Sequence, residues 1–378
     1  MVVHANDGDS ALWYGRAEAA QTAVTERHIR PLWGIPTTAL GVCAYPPTRR
    51  DRLMISWNFW WQAHLIDCAI DAHVRTASGT TRALVHRLIR GHLVRNGFRV
   101  TNHYYDDMAW LALALERAER LVGIDTHSAQ RTLGAQFMAA WAPQLGGGIP
   151  WRKSPDVFLN TPANGPAAIF LARSGNRSRA EQMSEWLFTH LLDETSGLVD
   201  DGVESGPAGL GRVHTEKYTY CQGVAIGLEA ELSDGDEVHA DRVGRIVHAV
   251  EAGLTERGVV VGAGGGDGGL FAGILLRYLA FAATSLQGDG SADDDARATA
   301  RDIVLASAEA AWNGAREVDG HVLFSADFSR PAQVPTDTGG AARFAAGTVV
   351  SSAIPERDLS VQLSGWMAME AAWVVSRG

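Results

Sequence analysis

Residues 104–121 read YYDDMAWLALALERAERL, and the fold turns on this stretch. From Met108 to Leu115 the segment is apolar on every face of a helix, so it must be enclosed by other protein. Two aromatics, Tyr104 and Tyr105, and two adjacent carboxylates, Asp106 and Asp107, stand at its start. Carboxylates at such a place are either the helix cap, where they complement orphan N–H groups and the positive end of the dipole, or a catalytic pair.

Working outward from this segment, five more of the same kind can be read. The six cover residues 57–72, 106–121, 164–173, 222–232, 268–283 and 359–375. Between them, stretches such as 11–29, 80–94 and 178–192 show apolar residues at i, i+3, i+4 and i+7 with charges opposite, the mark of one-sided helices. The buried segments start about 45 to 60 residues apart, with a longer last interval, which is room for one helix out, one helix back and two loops. The expectation is an all-α chain, an (α/α)6 barrel: a toroid of six inner and six outer helices, with residues 1–378 as a single domain.

In such a toroid the inner helices run the same way, and their starts share one end. The residues there are polar and aromatic: Trp57 and Asn58; Tyr105, Asp106 and Asp107; Asn164; Tyr220 and Gln222; Asp267; Asp358 and Gln362. Each could be capping its own helix, but capping does not require all of them to converge. A concave mouth lined by carboxylates, amides and rings suits a sugar chain, whose hydroxyls need planar partners and whose C–H faces need aromatics. The 12 tryptophans fit that reading, with Trp57, Trp60, Trp61, Trp110 and Trp151 at or near the inner starts.

Composition narrows the partner. The chain is 46% hydrophobic and 20% charged with a formal charge of −10, and it has no Lys/Arg stripe, so nucleic acid and anionic membranes are not expected partners. No run approaches 18 consecutive apolar residues, and no signal-like apolar core is readable near the start. A cytoplasmic protein or a trimmed secreted one is expected, acting as a monomer. Cys43, Cys68 and Cys221 are too scattered for a disulfide framework or a zinc site.

Two patterns compete with the sugar-site reading. Gly264, Gly266 and Gly269 satisfy the dinucleotide spacing G-x-G-x-x-G, yet a Rossmann unit needs a second strand after its helix, and residues 285–301 read as a polar, acidic loop. His64, Cys68 and Asp71 share one helical face, but no H-E-x-x-H or paired cysteine accompanies them, so no metal is expected. A Gly-x-Ser-x-Gly elbow is absent.

The motifs resemble those of glycoside hydrolase family 76, the bacterial endo-α-1,6-mannanases. In the family's order the chain carries Tyr-Tyr-Asp-Asp-Met-Ala-Trp at 104–110, Gly-Gly-Ile-Pro-Trp at 147–151, Asn-Gly-Pro-Ala-Ala at 164–168, Gln-Gly-Val-Ala-Ile-Gly at 222–227, Gly-Asp-Gly-Gly-Leu-Phe-Ala-Gly at 266–273 and Asp-Leu-Ser-Val-Gln at 358–362. The resemblance implies the (α/α)6 fold and retaining hydrolysis of internal α-1,6-mannosidic bonds in a microbial mannan, without cofactor or metal. It makes Asp106 the nucleophile and Asp107 the general acid/base; the convergence of the inner starts, with Trp151 beside them, places Trp57, Asn58, Tyr105, Trp151, Asn164, Tyr220, Gln222 and Asp267 at the substrate. Where the family commonly has Tyr-Asn-Gln-Gly, this chain has Tyr220-Cys221-Gln222-Gly223, a thiol in place of an amide.

Other readings keep the barrel but change the reaction: a sugar epimerase, an unsaturated-uronide hydrolase, a glycan-binding module or a transglycosylase on the same mannan. Epimerase and uronide chemistries favour His pairs or Arg clamps at the inner starts, where this chain has two Asp. A binding module would not need both carboxylates. Hydrolysis and transglycosylation differ only in whether water or a sugar hydroxyl accepts the glycosyl unit.

Overall fold

Segments apolar all round become buried helices, and those with one apolar stripe become the helices that cover them. A computed structural model describes residues 6–206, 209–288, 290–336, 339–345 and 347–377 of the chain. In chain order its helices are α1 (Asn6–His28), the single turn α2 (Arg49–Arg52), α3 (Phe59–Thr76), α4 (Gly79–Arg95), α5 (Tyr105–Val122), α6 (His127–Ala140), α7 (Thr161–Arg173), α8 (Arg177–His190), α9 (Thr219–Leu232), α10 (Glu237–Leu254), α11 (Phe271–Ser285), α12 (Ser291–Gly314) and α13 (Leu359–Val375). Helices α3, α5, α7, α9, α11 and α13 are buried over most of their length, and each alternates in the chain with a one-sided helix. This is the (α/α)6 fold, and all six predicted inner helices are present, with starts displaced by up to three residues.

The chain forms two compact units. One comprises Met1–Phe98, Thr255–Ala280 and Arg301–Gly378, the other Arg99–Leu254 and Phe281–Ala300. In the first, α13 packs on α1 and α3, and α3 packs on α4. Arg75 of α3 and Glu370 of α13 form a buried ion pair at 3.1 Å there. In the second unit α5, α7 and α9 pack side by side, with α6, α8 and α10 against them. Its one larger sheet has three antiparallel strands, Phe158–Asn160, Gly202–Gly206 and Gly209–His214.

Four inner helices share a device at their fourth residue. Gln62, Asn164, Gln222 and Gln362 are all buried, and each grips both the N–H and the C=O of one residue in a preceding loop. For Gln222 the Oε1 accepts from Val199 N at 2.7 Å, while Nε2 donates to Val199 O at 2.8 Å and Tyr218 O at 3.1 Å. For Asn164 the partners are Ile149 N, Ile149 O and Asn160 O, all within 2.9 Å. These amides staple the loops that enter the inner helices. Helix α5 has Met108 in the equivalent place and carries Asp106 and Asp107 in its first turn.

Gln222→Leu keeps the volume but strands a buried N–H and two carbonyls, so it should destabilise the protein by about 2–4 kcal/mol. Urea unfolding measures this. A cost below about 0.5 kcal/mol would contradict the staple role.

Residues 285–301 correct the sequence reading: from Ser291 they are helix, with Asp293 and Asp294 in the first turn, where acidic groups complement the dipole. The run of charge that suggested a loop is a helix start. Among the described residues, Gly266–Ser285 is long and apolar enough by composition to cross a bilayer, and 67% of it is buried inside the protein, as in a core helix. A search for unbroken apolar runs passes over it because Asp267 and Arg277 interrupt it.

Candidate active site

The start of α5 is held in a frame made by two paired segments. Tyr105 N donates to Trp151 O at 2.8 Å, Lys153 N donates to His103 O at 2.9 Å, and Tyr104 bridges Arg152. Trp151 N in turn donates to Phe158 O at 2.7 Å, tying the segment to the three-stranded sheet. The glycines before it are required by geometry. Gly147 and Gly148 have φ of +125° and +78°, and a Cβ on either would stand 2.6–2.8 Å from the rings of Trp141 or Trp186. The chain therefore lies flat on two indoles and delivers Trp151 to the start of α5.

Within this frame each carboxylate has a donor from outside the helix. Trp151 Nε1 donates to Asp106 Oδ2 at 2.9 Å, and Asp107 N donates to Asp106 Oδ1 at 2.8 Å. Asn102 Nδ2 donates to Asp107 Oδ2 at 2.5 Å, while its own Oδ1 accepts from Tyr104 N at 2.9 Å. The N-cap of α5 is Tyr104, with no side-chain cap, so neither carboxylate is the cap residue, although the bond from Asp107 N to Asp106 Oδ1 resembles a cap. Both carboxylates are half-buried, as are Tyr105 and Trp151. Burial pushes the Tyr105 phenol above its ordinary pKa. Lys153 Nζ lies 5.5 Å from the centre of the Tyr105 ring.

The segment that leads into the strand Gly202–Gly206 carries a carboxylate that sequence reasoning did not single out. Asp201 is mostly enclosed, and its pKa is pushed up to about 6, first by burial and then by the nearby Glu216. Lys217 pairs with Asp200 and Asp193. Cys221, buried, places its Sγ 4.0 Å from Asp201 Oδ1. The departure Tyr-Cys-Gln-Gly thus faces a carboxylate with a weak donor. A hint was available in the sequence, since Asp200-Asp201 is a second adjacent Asp pair.

Because the folded pKa of Asp201 lies above the ordinary value of about 3.9, stability is fullest below that value and is lost as pH rises through about 6. Asp201→Asn removes this cost. It should match wild type near pH 4 and be more stable by about 1–2 kcal/mol at pH 8, read by urea unfolding at both pH values. An equal effect at the two would contradict it.

The residues predicted in the other unit divide in role. Trp57 is turned into packing: it rests on the cluster of Leu32, Leu40, Val42 and Met54, with its ring against Phe59 and His92. Half-buried, this indole just ahead of α3 fills the gap to α4. Asn58 has φ +46° and makes no cap bond with its half-buried amide. Asp267 Oδ1 accepts from both Trp60 and Trp61 Nε1 at 2.9 Å, and its Oδ2 accepts from Val349 N at 2.6 Å. Burial raises its pKa against those stabilising bonds. Asp267 therefore anchors two indoles and a hairpin.

Asn164 and Gln222 depart from the expected sugar contacts. Both are fully buried with their amides taken up by backbone, so they hold loops and do not reach sugar. Gln362 is the same device, and Asp358 is likewise occupied, by Gly266 N, Ser352 N and Ser352 Oγ. Tyr220 remains half-buried, its ring 6.0 Å from that of Tyr218.

The competing patterns resolve into packing. A Cβ on Gly266 would lie 2.1 Å from Val349 O and one on Gly268 2.2 Å from Ala263 O, so these glycines allow close backbone approach. The helix that follows leads into α12, not into a second strand. Asp71 and Asp67 pair with Arg277, which also lies 3.8 Å from Cys68 Sγ. Burial lowers the His64 pKa to about 3.

Residues 18–362 match the sequence profile of Glycosyl hydrolase family 76. The chain belongs to this family. It is a glycoside hydrolase, and its substrate is a carbohydrate. The GH76A α-1,6-mannanase of Salegentibacter sp. HEL1_6 is 28% identical, with a TM-score of 0.79 over 95% of this chain and 98% of that one. An inactive variant of that enzyme, with two consecutive aspartates replaced by asparagine, has been solved with α-1,6-mannotriose; it is 26% identical with a TM-score of 0.79, covering 96% and 99% of the two chains. The family 76 mannosidase Bt3792 of Bacteroides thetaiotaomicron VPI-5482, 14% identical over 97% and 99% with a TM-score of 0.75, shares the fold. No curated protein matches the chain.

Proposed function

We propose that this family 76 enzyme is a retaining endo-α-1,6-mannanase that cuts the backbone of a microbial mannan, with Asp106 as nucleophile and Asp107 as general acid/base. The observation that carries the reading is the pair of carboxylates in one helical turn, each held by a donor from a different segment, Trp151 for Asp106 and Asn102 for Asp107. Two N–H groups on Asp106 favour its ionised form, which the attack on the anomeric carbon needs. Neighbouring helical residues diverge by about 100°, so the two carboxyls can address opposite sides of one glycosidic bond.

The Salegentibacter mannanase and its mannotriose complex support the choice of linkage. In the unit that carries α5, Tyr105, Trp151 and Tyr220 are the groups we assign to sugar, with Asp201 added to them; in the other unit, taken by itself, we assign Asn58 and the Trp60 face set by Asp267. We also read residues 1–378 as one catalytic domain, since the family match runs through both compact units.

Incubating the protein with α-1,2-, α-1,3- and α-1,6-linked mannotetraoses tests the assignment. Cleavage of the α-1,6 isomer alone, to shorter oligosaccharides including mannobiose, is expected. Cleavage of another linkage in preference would overturn the substrate, and products longer than the tetraose would reassign the enzyme as a transglycosylase.

A further inference from the structure

Asn102 lies two residues before the N-cap of α5, outside every motif of the resemblance. Its amide is fixed at both ends. Oδ1 accepts from Tyr104 N, which leaves Nδ2 as the group facing Asp107 Oδ2 at 2.5 Å, so the orientation of the amide follows from its partners. The segment carrying it is locked in turn by the Tyr104–Arg152 bridge and by Lys153 N donating to His103 O. The donor is therefore aimed before any substrate arrives.

We infer that Asn102 is a positioning residue that pins Oδ2 of Asp107 and so fixes the orientation of the acid/base carboxyl. This rests on the acid/base reading of Asp107 given above. In the first step the Asp107 O–H bond breaks and the proton passes to the O6 leaving oxygen. The C1–O6 bond breaks with its electron pair on that oxygen, and an Asp106 oxygen bonds to C1. In the second step water replaces the Asp106 ester oxygen at C1 and its proton returns to Asp107. Oδ2 stays on Asn102 as a pivot in both steps.

The test pairs Asn102→Ala with Asn102→Asp. The second keeps the acceptor for Tyr104 N and replaces only the donor, so it guards against a variant that fails to fold. Both should lower kcat on α-1,6-mannotetraose by about 10- to 100-fold with KM changed by less than about threefold. First-turnover release of dinitrophenol from a dinitrophenyl α-1,6-mannobioside, which needs no proton, should fall by less than about threefold. Equal losses on the two substrates, a change confined to KM, or unaltered kinetics in both variants would overturn the inference. Asp107→Ala run alongside separates its failure from that of the parent reading: if that variant also lacks the leaving-group split, the acid/base assignment falls and takes this inference with it.

Discussion

Asp106→Asn retains the fold and loses hydrolysis of α-1,6-mannotetraose by about a thousandfold or more, because an amide cannot form the glycosyl-enzyme. The structure adds a second consequence. Asp106 accepts from Trp151 Nε1 at one oxygen and from Asp107 N at the other, whereas an asparagine offers a single acceptor. One of those donors is left facing an NH2 group, and stability should fall by about 1 kcal/mol. Thermal unfolding and product release are the two measurements. Turnover above about a tenth of wild type would remove Asp106 from the nucleophile's role, that loss being far too small for a missing catalytic carboxylate.

Asp107→Ala should behave differently. Hydrolysis of the natural linkage, whose leaving oxygen must be protonated, falls by about 100- to 10,000-fold, while first-turnover cleavage of a dinitrophenyl glycoside falls far less. The variant also frees Asn102 Nδ2 from its acceptor without disturbing the bond from Tyr104 N to Asn102 Oδ1, so the entry to α5 should hold its shape. Equal losses on both substrates would show that Asp107 holds substrate or structure and transfers no proton.

The helical frame was legible because burial leaves a mark in the sequence. A segment such as 359–375, apolar on all faces, has no other place to go, and the structure has it as α13 with the same ends. The Asp106–Asp107 pair stood out as a candidate because two carboxylates beside such a segment are costly unless they do something. What sequence could not show is direction. A polar residue in the first turn of a buried helix can face a mouth or reach back to the loop before it, and Asn164 and Gln222 reach back. Trp57 likewise faces α4 through His92 and Arg95.

Asn102 and Asp201 escaped for a related reason. Neither lies on an inner helix; Asn102 precedes the cap of α5, and Asp201 stands at the entry to the sheet, its N–H donating to His214 O and its C=O accepting from Thr161 N. Helical periodicity carries no information about such segments. The acidic start of α12 was misread because a cluster of Asp reads alike as loop or as first turn until the helix behind it is seen.

The central claim is a double displacement at an α-1,6-mannosidic bond through Asp106. Proton NMR of α-1,6-mannotetraose during the first minutes of cleavage tests it most directly, before the new reducing end mutarotates. Two displacements predict that this end appears first as the α-anomer. First appearance of the β-anomer would mean that water attacks directly, and Asp106 could not then be a nucleophile.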